Sequence, residues 1–140
     1  MHIRFIVPPA DTGRNGNIVT SERWKSFMEE LGHRVIIDHD YCRERCDLLV
    51  AFHAVRTRSA VIAARKETLA KKIIICFTGT DLYRDLKANP DASDVLGLAD
   101  LLVALQPAAL EEVPSAFRKK TMVIYQSAMR QSAAARTWPQ

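Results

Sequence analysis

Six short apolar runs, at residues 3–7, 34–38, 47–52, 73–77, 101–105 and 121–125, constrain the fold of this chain more than any other feature. Each has the length of one strand, and the run at 47–52 is continuous rather than alternating, as in strands buried on both faces of a parallel sheet. The segments between them are helical in pattern. Across 17–31, Ile18, Val19, Trp24, Phe27, Met28 and Leu31 recur at three and four residues, and Gly32 supplies a stop. Residues 58–70 are rich in alanine, lysine, arginine and glutamate, and shorter helical pieces are expected at 83–87, from Pro90 through Leu98, and from Pro107 to near Pro114. Strands alternating with helices at this rhythm imply right-handed crossovers. They predict an α/β fold, a three-layer, doubly wound domain with a mostly parallel sheet of about six strands. One domain spans 1–128, and 129–140 lose all periodicity, as a tail or the start of a linker would.

Composition narrows the partners. The 48% apolar content over 140 residues is enough for one buried core. No apolar run reaches the roughly 18–20 residues that cross a bilayer, and the first residues lack a secretory leader pattern, so a soluble cytoplasmic protein with no membrane partner is expected. Cys42, Cys46 and Cys76 form an odd set suited to reduced thiols. Cys76 lies in an apolar run, where a thiol behaves as a small hydrophobe. Cys42 and Cys46, with His39 nearby, have no second ligand pair for structural zinc, and 42–46 reads as a surface loop with no metal. The net charge of +4 is spread without blocks of one sign, so nucleic acid is not expected, whereas small acidic molecules are plausible partners.

In open α/β sheets the ligand crevice lies beyond the carboxyl ends of the strands, which directs attention to the residues after each apolar run. After the first run, Gly13, Arg14, Asn15, Gly16 and Asn17 combine close backbone approach with the free N–H groups of a helix start. The other reading is a glycine-rich turn with Asn17 as the helix cap. After the third run come His53, Arg56 and Arg58, an imidazole and two guanidiniums able to hold a phosphate or a sugar hydroxyl, although Arg58 reads better as a surface cation at a solvated helix start. After the fourth, Thr78-Gly79-Thr80-Asp81-Leu82-Tyr83-Arg84-Asp85 gathers hydroxyls, carboxylates, a phenol and a guanidinium. Capping by Thr80 or Asp81 would account for part of that block, but not for Gly79, Tyr83 and Arg84 together. The nucleophile elbow, the H-E-x-x-H zinc motif, the P-loop and the dinucleotide glycine fingerprint are all lacking.

Ala99-Asp100 opening the fifth run, Leu105-Gln106-Pro107 closing it, and Ile124-Tyr125-Gln126-Ser127 ending the sixth resemble the N-terminal, Rossmann-like half of the retaining two-domain B-type (GT-B) glycosyltransferases. With Gly16-Asn17, Thr20, Arg23-Trp24, His53-Ala54 and the block at 78–85, the chain is most similar to the selenosugar synthases of selenoneine biosynthesis. That resemblance implies transfer of a sugar from a UDP-sugar to selenophosphate, without a resident cofactor. The acceptor side of the cleft would be lined by Asn15, Gly16, Asn17, His53, Gly79, Thr80, Asp81, Tyr83 and Arg84. His53 and Asp81 are the candidate proton acceptors, although an anionic nucleophile has little need of a base. The family places the donor nucleotide on a C-terminal domain, so these 140 residues are expected to bind rather than to complete the reaction. The alternative is a stand-alone binding or regulatory module of the same fold, a homo-oligomer covering apolar surface.

Overall fold

The computed structural model describes residues 1–9, 15–40 and 44–127. Gly13 and Arg14 of the first loop, Cys42, and the tail at 129–140 lie outside the described residues. Six strands, β1 (His2–Ile6), β2 (Arg34–Asp38), β3 (Cys46–Phe52), β4 (Ala70–Cys76), β5 (Leu101–Ala104) and β6 (Thr121–Val123), form one sheet in the order β2-β1-β3-β4-β5-β6. Every neighbouring pair is parallel. The α/β three-layer architecture expected from the apolar runs is therefore present. The strand order reverses between β1 and β3, the point at which such sheets open a crevice.

The helices divide the core into two layers. Helix α1 (Gly16–Glu30) covers one face, where Ile18, Trp24 and Met28 pack with Phe5, Val50, Phe52 and Val103. Trp24 meets the Phe52 ring edge-on at 5.5 Å, which anchors α1 on the sheet. Helices α2 (Arg58–Lys66), α4 (Asp94–Leu98) and α5 (Ala109–Glu112) cover the other face over Leu49, Ile73, Ile75 and Leu102. Between β4 and α4 the chain makes a π-turn (Asp81–Asp85), the single turn α3 (Leu86–Ala88) and a 3₁₀ turn (Pro90–Ser93), and a second 3₁₀ turn (Ser115–Lys120) leads into β6.

Local chemistry explains the ends. Asn15 caps α1 by accepting from the Ile18 N–H at 3.1 Å, in place of the expected Asn17. At the far end Gly32 takes φ +81°, and the His33 N–H donates back to the Met28 carbonyl at 3.0 Å, closing the helix. Helix α2 stops at Lys66, earlier than the composition predicts. Thr68 adopts φ +52°, and the Leu69 N–H donates to the Ala64 carbonyl at 3.1 Å, a left-handed stop without glycine. The freed residues let β4 begin at Ala70, where it pairs with Cys46 of β3. Lys71 and Lys72 are exposed there, so this part of the strand carries no apolar signature. The surface-loop expectation for 42–46 holds for exposed Glu44 and Arg45 and fails at Cys46, which is buried and opens β3. Burial raises the Cys46 thiol, and still more the Cys76 thiol, above the usual range, in keeping with inert core cysteines. Among the described residues no helix is long and apolar enough to cross a membrane.

Candidate functional site

Beyond the carboxyl ends of β3 and β4, two loops 27 residues apart in sequence are locked together by one carboxylate. Asp81 is fully buried. Its Oδ2 accepts from the Ala54 N–H at 2.8 Å, and its Oδ1 accepts from the Thr78 and Gly79 N–H groups, both at 3.0 Å. These bonds run backward along the β4 loop and across to the β3 loop, not forward into a helix as a cap would. With three backbone donors on two oxygens, Asp81 clamps the loops together rather than accepting a proton. The clamp requires a tight reversal, and Gly79 supplies it at φ +108°.

His53 sits against this clamp. Its backbone has φ +81°, a left-handed conformation costly for a residue with a Cβ. It is held there from several sides. The His53 N–H donates to the Cys76 carbonyl at 3.0 Å, and the buried Thr57 hydroxyl donates to the His53 carbonyl at 2.9 Å. The ring is equally constrained. Nδ1 accepts from the Arg56 N–H at 3.2 Å, which puts the proton of the neutral imidazole on Nε2. Nε2 then lies 3.3 Å from Asp85 Oδ2 and 3.2 Å from Thr80 Oγ1. Burial lowers the His53 pKa below its ordinary value, against the pull of Asp81 and Asp85. Asp85 is held below the usual carboxylate range chiefly by its hydrogen bond from Arg84. The arrangement is a neutral imidazole donating towards an ionised carboxylate and a hydroxyl. Thr80 is exposed, so by accepting from His53 it keeps its own proton to offer outward.

The structure brings His53, Gly79, Thr80 and Asp81 together and separates the rest. Arg84 is exposed and its Nε donates to Asp85 at 2.6 Å, which turns it to the outer surface. Arg58 is bound to Asp94 of α4, with Nε 2.8 Å from Oδ1, in the surface role weighed for it. Arg56 reaches the β1 loop, where its guanidinium donates to the Pro9 carbonyl at 3.3 Å. Asn15 is committed to capping. Gly16 has open space where a Cβ would stand, and Asn17 is half-buried at the start of α1. Tyr83 faces the opposite side, lining a cleft of about 290 Å³ between the β4, β5 and β6 ends that also takes in Thr78, Gly79, Gln106 and Gln126. Gln126 Nε2 donates to Thr20 Oγ1 at 3.0 Å, which ties α1 to the wall of that cleft.

Asp85, Gln106 and Gln126 stand in the motifs the sequence offers but not among the lining residues expected from them. Both glutamines follow strand ends, so the strand-end rule points to them, but a search for charge and nucleophiles does not. Asp100, noted as part of a strand-opening pair, is a structural hub. Its Oδ2 accepts from the Ile73 N–H at 2.8 Å, and Arg65 and Lys72 bind the same carboxylate. Compared with protein-family models and with curated proteins, the chain matches none.

Proposed function

We propose that this domain is the acceptor-binding side of a two-domain glycosyltransferase that moves a sugar from a UDP-sugar to a selenophosphate-like anion. The observation that carries the reading is the union of His53 with the 78–85 block into one hydrogen-bonded unit at the carboxyl edge of a parallel sheet. The Thr80 hydroxyl, oriented by the imidazole behind it, offers a neutral donor to phosphoryl-type oxygens, and Arg56 at the mouth of the β1 loop adds positive charge. Neither His53 nor Asp81 has a lone pair placed for proton abstraction, which suits a nucleophile that arrives already anionic. The UDP-sugar would be held by a second domain, so that binding and transfer are separable properties of the enzyme.

Calorimetric titration of residues 1–140 with inorganic phosphate, as a stand-in for the acceptor, tests the reading, together with an assay for sugar transfer from UDP-sugars. Phosphate binding weakened roughly threefold to tenfold by Thr80→Val, without transfer, is expected. Robust transfer by these residues alone, or no binding of phosphate, would overturn it.

A second reading, a stand-alone module that self-associates, is favoured by one feature. Strand β6 is a sheet edge, and Met122, Ile124 and Tyr125 on or just beyond it are exposed. Sedimentation velocity separates the two, since a dimer disrupted by Ile124→Lys without any anion binding belongs to the module.

A further inference from the structure

The cleft between the ends of β4, β5 and β6 differs in chemistry from the His53 unit beside it. Every described residue that lines it is uncharged. Its walls are aliphatic at Leu105 and Ala109, and its polar groups are a phenol, two amides and a hydroxyl, from Tyr83, Gln106, Gln126 and Thr78. At about 290 Å³ it lies at the lower end of the range for small-molecule sites, enough for one ring.

The hydrogen-bond inventory decides what kind of ring. Gln106 Nε2 donates to the Tyr83 hydroxyl at 2.7 Å, so the phenolic proton is turned outward as a donor. The same bond leaves Gln106 its Oε1 as an acceptor and its second N–H as a donor. Thr78 Oγ1 is buried and has no hydrogen-bond partner, a state that costs about 1–3 kcal/mol unless something fills it. The described lining thus combines donors and acceptors with aliphatic carbon. An anion accepts only, and would face the Gln106 carbonyl oxygen without a cation to offset it. Sugar hydroxyls donate and accept at once, and the C–H face of the ring packs on aliphatic carbon.

We propose that this cleft binds an uncharged, polyhydroxylated ring, a monosaccharide unit, beside the anion-binding His53 unit. The inference deepens the glycosyl-transfer reading and rests on it: anion and sugar are received at adjacent but chemically separate places on the same strand ends.

The test is nuclear magnetic resonance titration of isotope-labelled protein with a panel of methyl hexosides, with uridine and with inorganic phosphate. A methyl hexoside should shift the amide signals of Gly79, Leu105 and Gln106, with affinity reduced roughly threefold to tenfold in both Thr78→Val and Gln106→Leu. Thr78→Val is isosteric and removes a hydroxyl that has no partner, so the variant should melt no lower than the parent. A lower affinity in a variant of undiminished stability reports on the ligand rather than on folding. Uridine binding there without any hexoside, phosphate binding in that cleft, or no response to any probe would each overturn the sugar assignment. Phosphate binding at the His53 unit with an unresponsive cleft sinks this inference alone, and the acceptor reading survives.

Discussion

The two sides of the β4 loop use similar residue types to opposite ends. On the β3 side, Asp81, His53 and Thr57 direct their polar atoms inward, and both Asp81 oxygens and both ring nitrogens of His53 have partners. On the β5 and β6 side, the Thr78 hydroxyl is buried without a partner, and Tyr83 and Gln106 spend on each other only part of what they can offer. A buried polar group that is fully paired stabilises the fold and has little left for a ligand. One left with unused capacity is a cost to the free protein that a ligand can remove. The difference leaves the first side mostly paired internally, with the Thr80 hydroxyl facing outward, and the second with hydrogen-bonding capacity to spare.

The sharpest way to break this comparison is Asp81→Ala. It strands three backbone N–H groups at once and should cost about 2–4 kcal/mol of unfolding free energy in urea denaturation. Asp81→Asn, which keeps one accepting oxygen, should fall between that variant and the parent. A loss below about 0.5 kcal/mol for Asp81→Ala, the level of ordinary surface changes, would remove the clamp.

A smaller effect is expected from pH. Burial depresses the folded-state pKa of His53, so below the ordinary histidine value of about 6.5 the unfolded chain binds more protons than the folded one. The stability linked to His53 is therefore complete above that value and declines as the pH falls towards the lower folded-state pKa. His53→Asn removes the titrating ring and retains a residue tolerant of positive φ. Its melting temperature should vary less between pH 7.5 and pH 5.5 than that of the parent. An unchanged pH slope in His53→Asn would show that the imidazole is not the linked group.

The least effect is expected on the β5 and β6 side. Gln106→Leu should leave unfolding free energy within about 0.5 kcal/mol of the parent, and Thr78→Val, which removes an unpartnered buried hydroxyl, should not lower it. A larger loss in either would mean that the second side is also structural, and the contrast between the two would disappear.

Much of the architecture was legible because periodicity is a local property. Strand β2 has the bounds the sequence predicts, and the other strands differ at their ends for identifiable reasons. Strand β4 begins three residues before its apolar run because Lys71 and Lys72 hydrogen-bond through the backbone while their side chains reach solvent. Helix α2 ends early because Thr68 takes a conformation that its side chain disfavours. Among candidate site residues, the strand-end rule pointed to His53, Gly79, Thr80, Asp81 and Tyr83. It could not say that Arg84 turns outward to Asp85, or that Tyr83 lies on the other side of the loop from His53.

The sequence by itself determined the strand and helix order, the layered α/β class and the segments on which polar chemistry gathers. These follow from side-chain spacing and turn residues within a few positions of one another. Only the tertiary structure decided which polar groups satisfy one another. Ala54 and Asp81, His53 and Asp85, and Thr20 and Gln126 are 27, 32 and 106 residues apart and meet only because the parallel sheet brings its strand ends to one edge. Hydrogen bonding saturates, so whether a given carboxylate, imidazole or hydroxyl still has a donor or acceptor to offer depends on those distant neighbours. Residue identity names the group and the fold decides its use.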